Sequence, residues 1–255
     1  MLKASELQAI YIMWLRQIKR FTRSRSRIVV MIVQPLFFLF IFGSGFRDIN
    51  IPAMQGPYIH FIAPGIITMA ILFTSMFAGI SVLWDKQFGF LQEVLVAPIS
   101  RFSIIIGRTF GGATTALIQG FIFLFITFAL GIPLAGISGL ILALVFMVLI
   151  AFSSVGFGLI LASKMEDMQG FPLVTNLVIM PLLLASSAFF PLDVLPSWAT
   201  NIALFNPMFY MVDGLRGSLI GVDNMFSPLL DLLIVIIICT ALMTIGSYLF
   251  SKSEA

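Results

Sequence analysis

Six long apolar runs, separated by short polar breaks, organise the chain: residues 28–46, 58–83, 107–130, 137–162, 171–190 and 228–250. Each is close to or above the ~20 residues that cross a bilayer as a helix. Ahead of the first run, ELQAIYIMWLRQIKRF alternates with helical period: Leu7, Ile10, Trp14, Ile18 and Phe21 recur every three or four residues, and Arg16, Lys19, Arg20 and Arg23 fill much of the rest. That pattern predicts an amphipathic helix over 5–24 lying in the membrane interface, with Trp14 at the headgroup level. Between the second and third runs stands DKQFGFLQEVLVAPISR, residues 85–101. Asp85 is positioned as an N-cap; Phe88, Leu91, Val94 and Leu95 share one face; Pro98 stops the helix near Ala97. About thirteen residues are too few to span.

The stretch 191–226 forms no clean span. Its apolar pieces are broken at Asn206-Pro207, and a residue before proline leaves the helical basin. It predicts two short helices forming a re-entrant hairpin on the outer side. A further small-residue row, Gly112, Ala116 and Gly120, is suited to close helix packing.

Composition fixes the class. Of 255 residues, 60% are hydrophobic and 10% charged, and mean hydropathy is +1.11. So little charge does not cover a soluble domain of this length. The expectation is an all-α polytopic membrane protein built as one domain over 1–255. Seven of the 14 Lys and Arg residues precede residue 28, and no basic soluble domain accompanies them to hold nucleic acid. Counting loops with the N-terminus inside puts twelve cations on the cytoplasmic side against two, Arg47 and Arg216, outside. This bias places both termini in the cytoplasm and the chain in the cell membrane, with its basic flank on anionic lipid. The run 28–46 reads as a retained span, not a signal peptide, since no A-x-A pattern follows.

Candidate chemistry is sparse. His60 is the one histidine and Cys239 the one cysteine, so paired-His and cysteine metal motifs are excluded. His60 reads as an interfacial group and Asp231 as an end-of-helix charge in the headgroup zone, with a proton or cation site as the alternative. Gln34, Gln119 and Asn176, deeper in their spans, are expected to hydrogen-bond between helices. No catalytic cluster is present, and no G-x-x-x-x-G-K-[ST] occurs, so a second chain must bind any ATP that drives this one. The polar helix after the second span then faces a soluble partner: Asp85 and Glu93 gain nothing from anionic lipid but suit a basic groove.

Two motifs carry a resemblance. QEVLVAPISR, residues 92–101, is similar to the loop that follows the second span in permease subunits of the type-2 ABC exporter family. ASSA at 185–188, Leu195-Pro196 and PMFYMVDGLR at 207–216 resemble that family's late signature, marked here by Pro207, Tyr210 and Arg216. The likeness covers essentially the whole chain and is nearest the drug-resistance and nodulation-factor exporters. It implies a non-enzymatic transport subunit whose loop is a coupling helix. Docking on an ATPase would then use Asp85, Phe88, Leu91, Glu93, Leu95, Pro98 and Arg101, flanked by Trp14, Arg16, Ile18, Lys19 and Arg20. It further implies two ATPase copies carrying ATP and Mg, no cofactor on this chain, and a second permease copy as a homodimer. The cargo would be a lipophilic or amphipathic drug, lipid or glycoconjugate moved outward. An ion-coupled carrier and a non-transporting membrane subunit are the alternatives.

Overall fold

The computed structural model describes residues 4–46, 56–89, 99–222 and 224–253. Among these residues it contains nine α-helices, one 3-10 turn and no strand. In chain order they are α1 (Ala4–Arg23), α2 (Arg25–Gly45), α3 (Tyr58–Gln87), α4 (Arg101–Ala129), α5 (Gly136–Lys164), α6 (Gly170–Leu184), α7 (Ser197–Phe205), α8 (Pro207–Leu219) and α9 (Pro228–Ser253). The 3-10 turn, Leu192–Val194, precedes α7. Five helices, α2, α3, α4, α5 and α9, are long and apolar enough to cross a bilayer.

These spans are apolar on all sides, so the sequence period alone does not say which face is buried. The packing does. Helix α3 is the central element, enclosed by α2, α4, α5 and α8, and Ile62, Ile67, Met69 and Ile71 are fully buried along it. Helix α2 lies outside, burying only Met31, Pro35, Leu39 and Gly43, one stripe at four-residue spacing. The Gly112, Ala116 and Gly120 row does pack as expected. A β-carbon on Gly112 would meet Ala78 and Val155, and one on Gly120 would meet Met147 and Ile71, so the row lets α4 close on α3 and α5.

The α3–α5 crossing is tighter still. A β-carbon on Gly79 would stand 2.5 Å from the Gly158 carbonyl oxygen, whereas one on Gly158 would find nothing nearer than 3.5 Å. Gly79→Ala is therefore expected to cost about 1–3 kcal/mol, because backbone must move. Gly158→Ala should be tolerated. Thermal unfolding of the two purified variants checks this asymmetry.

Three expectations need correcting. The predicted fifth span, 171–190, is the 15-residue α6, about 22 Å long at 1.5 Å per residue, against a ~30 Å hydrocarbon core. Where the chain turns after Leu184, Asn206 satisfies the Leu182 carbonyl from another helix, and Ala185 and Ser186 satisfy those of Pro181 and Leu183. The stripe read on α1 holds at Phe21, which is buried, and at Ile10, Trp14 and Ile18, which are half-buried, but not at Leu7, which is 56% exposed; Ala9 and Met13 are buried in addition. The packed side is set by α4, where Gly107 and Gly111 bring its backbone against Ile10, Met13 and Gln17. Asp85 lies inside the last turns of α3 and caps no separate helix. The predicted coupling helix, with Leu91, Glu93, Leu95 and Pro98, falls outside the described residues.

One end of the bundle gathers α1, the ends of α3, α5 and α9, and the start of α4. There Arg101 Nη1 donates to the Ser251 carbonyl (3.1 Å) and Gln87 Nε2 to the Glu166 carbonyl (2.7 Å). The opposite end carries the turn at 185–196 with α7 and α8. Two short helices do follow, split at Asn206-Pro207 as the sequence predicts.

Candidate functional site

At the basic end, α1 is fastened to α3 through one carboxylate. Asp85 is 3% exposed. Arg16 grips it with both terminal nitrogens, at 2.8 and 2.6 Å, Arg108 approaches at 2.9 Å and Arg20 at 3.6 Å. Arg108 is itself 2% exposed, which makes Asp85 its counter-charge inside the bundle. Burial pushes the Arg20 guanidinium down from its ordinary value, with Asp85 pulling it back up and Arg16 adding to the fall. Nearby, Gln17 Nε2 donates to Ser81 Oγ (2.8 Å) and Trp14 Nε1 to Thr114 Oγ1 (3.1 Å).

The same helix holds the start of α4. Ser100 caps α4, its Oγ accepting from the Ser103 N–H. Glu6 of α1 accepts from the Ser100 N–H at 3.1 Å, from Ser100 Oγ at 2.8 Å and from Ser103 Oγ. A carboxylate at a helix N-terminus is further favoured by the helix dipole. So α1 grips the chain at Asp85 and again at Ser100, on both sides of the intervening loop.

The far end is organised by Arg216 of α8. It is 1% exposed, and its Nε donates to the Phe61 carbonyl (3.2 Å), Nη1 to Ser187 Oγ (3.2 Å) and Nη2 to the Ser187 carbonyl (2.6 Å). Its guanidinium lies 3.8 Å from the Phe61 ring centroid. Ser187 has φ +56°, a left-handed backbone that a serine holds only when its surroundings enforce it. Asn206 completes the turn: Oδ1 caps α8 by accepting from the Met208 N–H, and Nδ2 donates to the Leu182 carbonyl of α6. Tyr210 donates to the Leu204 carbonyl (2.8 Å), closing α7 on α8. Arg216→Lys is expected to lose roughly 2–3 kcal/mol, since one ammonium cannot reproduce the fork or the stacking. A melting curve of the variant tests it.

Asp231 stands at a helix end, as the sequence predicts, but it does not face outward. It is fully buried in the first turn of α9, against Gly214, and no N–H or hydroxyl donor reaches either oxygen. Its polar neighbour is the Asp213 carboxyl, which accepts the Met225 and Phe226 N–H groups at 3.0 Å.

Between the two ends, α2, α3 and α6 frame a groove of about 180 Å³. Its walls are largely apolar, including Val30, Ala70, Phe73 and Phe171, with four polar side chains: Gln34, Thr74, Thr175 and Asn176. Thr74 and Thr175 are buried with hydroxyls that have no hydrogen-bond partner. Of the three amides expected to bond between helices, Gln119 does, donating to the Met31 carbonyl (2.8 Å). Gln34 and Asn176 are exposed and line the groove.

Known sequences place this architecture. The family pattern of the ABC-2 type transporter matches residues 8–220. The chain belongs to the ABC-2 type transporter family. It is similar to the putative transport permease ycf38 of Cyanophora paradoxa, 30% identical over 213 residues covering 82% of this chain and 73% of the relative. It is also 28% identical to the inner membrane transport permease YadH of Escherichia coli strain K12, over 85% of this chain and 84% of that one. The probable multidrug ABC transporter permease YbhR of the same strain is 31% identical over 158 residues, 61% of this chain and 42% of the relative.

In this ABC-2 transporter chain, the structure joins the two halves of the late signature, since Arg216 binds Ser187 of the ASSA turn. Pro207 opens α8 behind the Asn206 cap. Of the loop residues, Asp85 is committed within the chain, Phe88 is 69% exposed beside Trp84, and Arg101 opens α4. Ile18 is half-buried and Lys19 exposed on α1. Sequence reading missed Glu6, Ser100 and Arg108. A Ser at the start of an apolar helical run was a signal for the cap at Ser100; the other two had no local signal.

Proposed function

We propose that this chain is the membrane half of an ATP-driven exporter, paired with a second copy and powered by two separate ATP-binding subunits. ATP binding draws those subunits together, and the loop at 88–100 carries the movement into the bundle. Only a contact that differs between nucleotide states can do this. The observation that carries the reading is the double grip of α1: Arg16 holds Asp85 near the end of α3 and Glu6 holds Ser100 at the start of α4, so both flanks of the docking segment are fastened to one helix. Displacement then passes to α4 and to α3, which meets α6 and α8. The α2–α3–α6 groove, apolar with a few polar groups, serves as the wall of an outward path for an amphipathic cargo. The orientation with both termini cytoplasmic puts the ATPase on the α1 side, in line with the basic bias.

Reconstitution tests it. ATP-dependent movement of an amphipathic probe in proteoliposomes should require both this chain and the ATP-binding subunit. Movement without that subunit sinks the reading. An ion-coupled carrier is the second reading, favoured by the buried Asp213–Asp231 contact; it predicts movement driven by an ion gradient with no nucleotide present.

A further inference from the structure

The groove continues toward the basic end. Met31, Thr74 and Phe77 line both the groove and a small hollow beside it, whose remaining wall includes Gln17, Arg20 and Arg27. Two arginines thus stand at the mouth of an apolar cleft. Arg27 is half-buried, lies 4.9 Å from the Phe77 ring centroid and has no carboxylate within ion-pair distance among the described residues. Arg20 reaches Asp85 Oδ1 only at 3.6 Å, and Arg16 already holds that oxygen at 2.6 Å. Six cations stand between residues 16 and 27, and Asp85, shared with Arg108, is the carboxylate the described residues set against them.

We propose that mouth and groove form one binding site for an anionic amphiphile, its acid head group between Arg20 and Arg27 and its apolar body along Val30, Phe73 and Phe171. Charge complementarity selects the occupant. A partly desolvated guanidinium without a counter-ion is costly, and the planar fork of arginine fits a phosphate or carboxylate edge. Among the described residues Asp85 is already occupied and no other carboxylate reaches Arg27, so the site takes its complementary anion from the ligand. The body of the amphiphile covers apolar wall, and any polar atoms along it find the free hydroxyls of Thr74 and Thr175 and the amides of Gln34 and Asn176. This rests on the groove being part of the transport path, and it narrows the cargo from amphipathic to acidic.

The test is binding to the full chain purified in detergent, with three probes: dioleoyl phosphatidylglycerol, uncharged dioleoylglycerol and inorganic phosphate. Phosphatidylglycerol should bind about tenfold more tightly than dioleoylglycerol, and R27Q should lose about that factor. The double variant R23Q/R25Q, removing two exposed charges from the same elbow, should change affinity by less than about twofold. Asn176→Trp, which fills the groove, should weaken phosphatidylglycerol severalfold. Equal losses in R23Q/R25Q and R27Q would mean diffuse surface charge and overturn the site. So would inorganic phosphate competing as well as the lipid, or an unaffected Asn176→Trp. Should R27Q not fold, R23Q/R25Q and Asn176→Trp still decide, the site then failing if the pair costs tenfold or the tryptophan costs nothing. No ATPase enters this measurement, so its failure leaves the coupling reading standing, and failure of ATP dependence leaves the site standing.

Discussion

Replacing Asp85 by alanine is expected to destabilise the chain by about 3–5 kcal/mol, the usual loss when one partner of a buried ion pair is removed. The magnitude comes from Arg108. Arg16 and Arg20, at 31% and 27% side-chain exposure, can turn toward water, but Arg108, at 2%, cannot. Its charge would remain in the bundle without the carboxylate 2.9 Å away. The companion result is more telling: Asp85→Leu combined with Arg108→Met should recover most of the loss, because apolar side chains replace a buried pair with little penalty. Thermal unfolding of wild type, both single variants and the double variant in detergent gives the cycle. Strict additivity of the two single losses would contradict the pairing.

The second large effect concerns coupling. Glu6→Ala with Arg16→Ala is expected to cut ATP-driven transport at least about tenfold, since the contacts of α1 with Asp85 and Ser100, on either side of the docking segment, are released. Neither residue is deep in the bundle, so the loss of stability should be far smaller, on the order of 1–2 kcal/mol. Transport and melting temperature measured on the same reconstituted preparations separate the two. A loss of transport that follows the loss of stability would make the grips merely structural. Arg16→Lys is a useful third variant: it keeps the charge but not the two-point contact with Asp85, so intermediate transport is expected.

Much of the architecture was legible in the sequence because hydropathy and period report length and amphipathicity. Five of the six apolar runs became long helices, α1 formed where the Trp14 and Arg16 pattern predicted it, and Asn206-Pro207 separated α7 from α8. What failed has a common cause. Residues 171–190 read as a span because nothing within them announces a turn. A donor at the end of α6 comes from Asn206, 24 positions from Leu182, and the turn beyond it is held by Arg216, 29 positions from Ser187. Asp85 read as a free cap because its partner Arg16 is 69 positions distant. The burial of Asp231 was not legible because Gly214, which admits it to the interior, lies on another helix. Hydropathy marks which segments enter the membrane; it does not say which polar groups meet there.

The central claim is that an ATP-binding subunit docks on the segment 85–101 and on α1, which holds its flanks. Its most direct test is the equilibrium affinity of that purified subunit for the full chain in nanodiscs, comparing wild type with Glu93→Lys. The account predicts specific binding to wild type and at least about tenfold weaker binding to the variant, because a carboxylate facing a basic groove becomes a repelling ammonium. Equal affinity for the two proteins, or no binding to either, would contradict it.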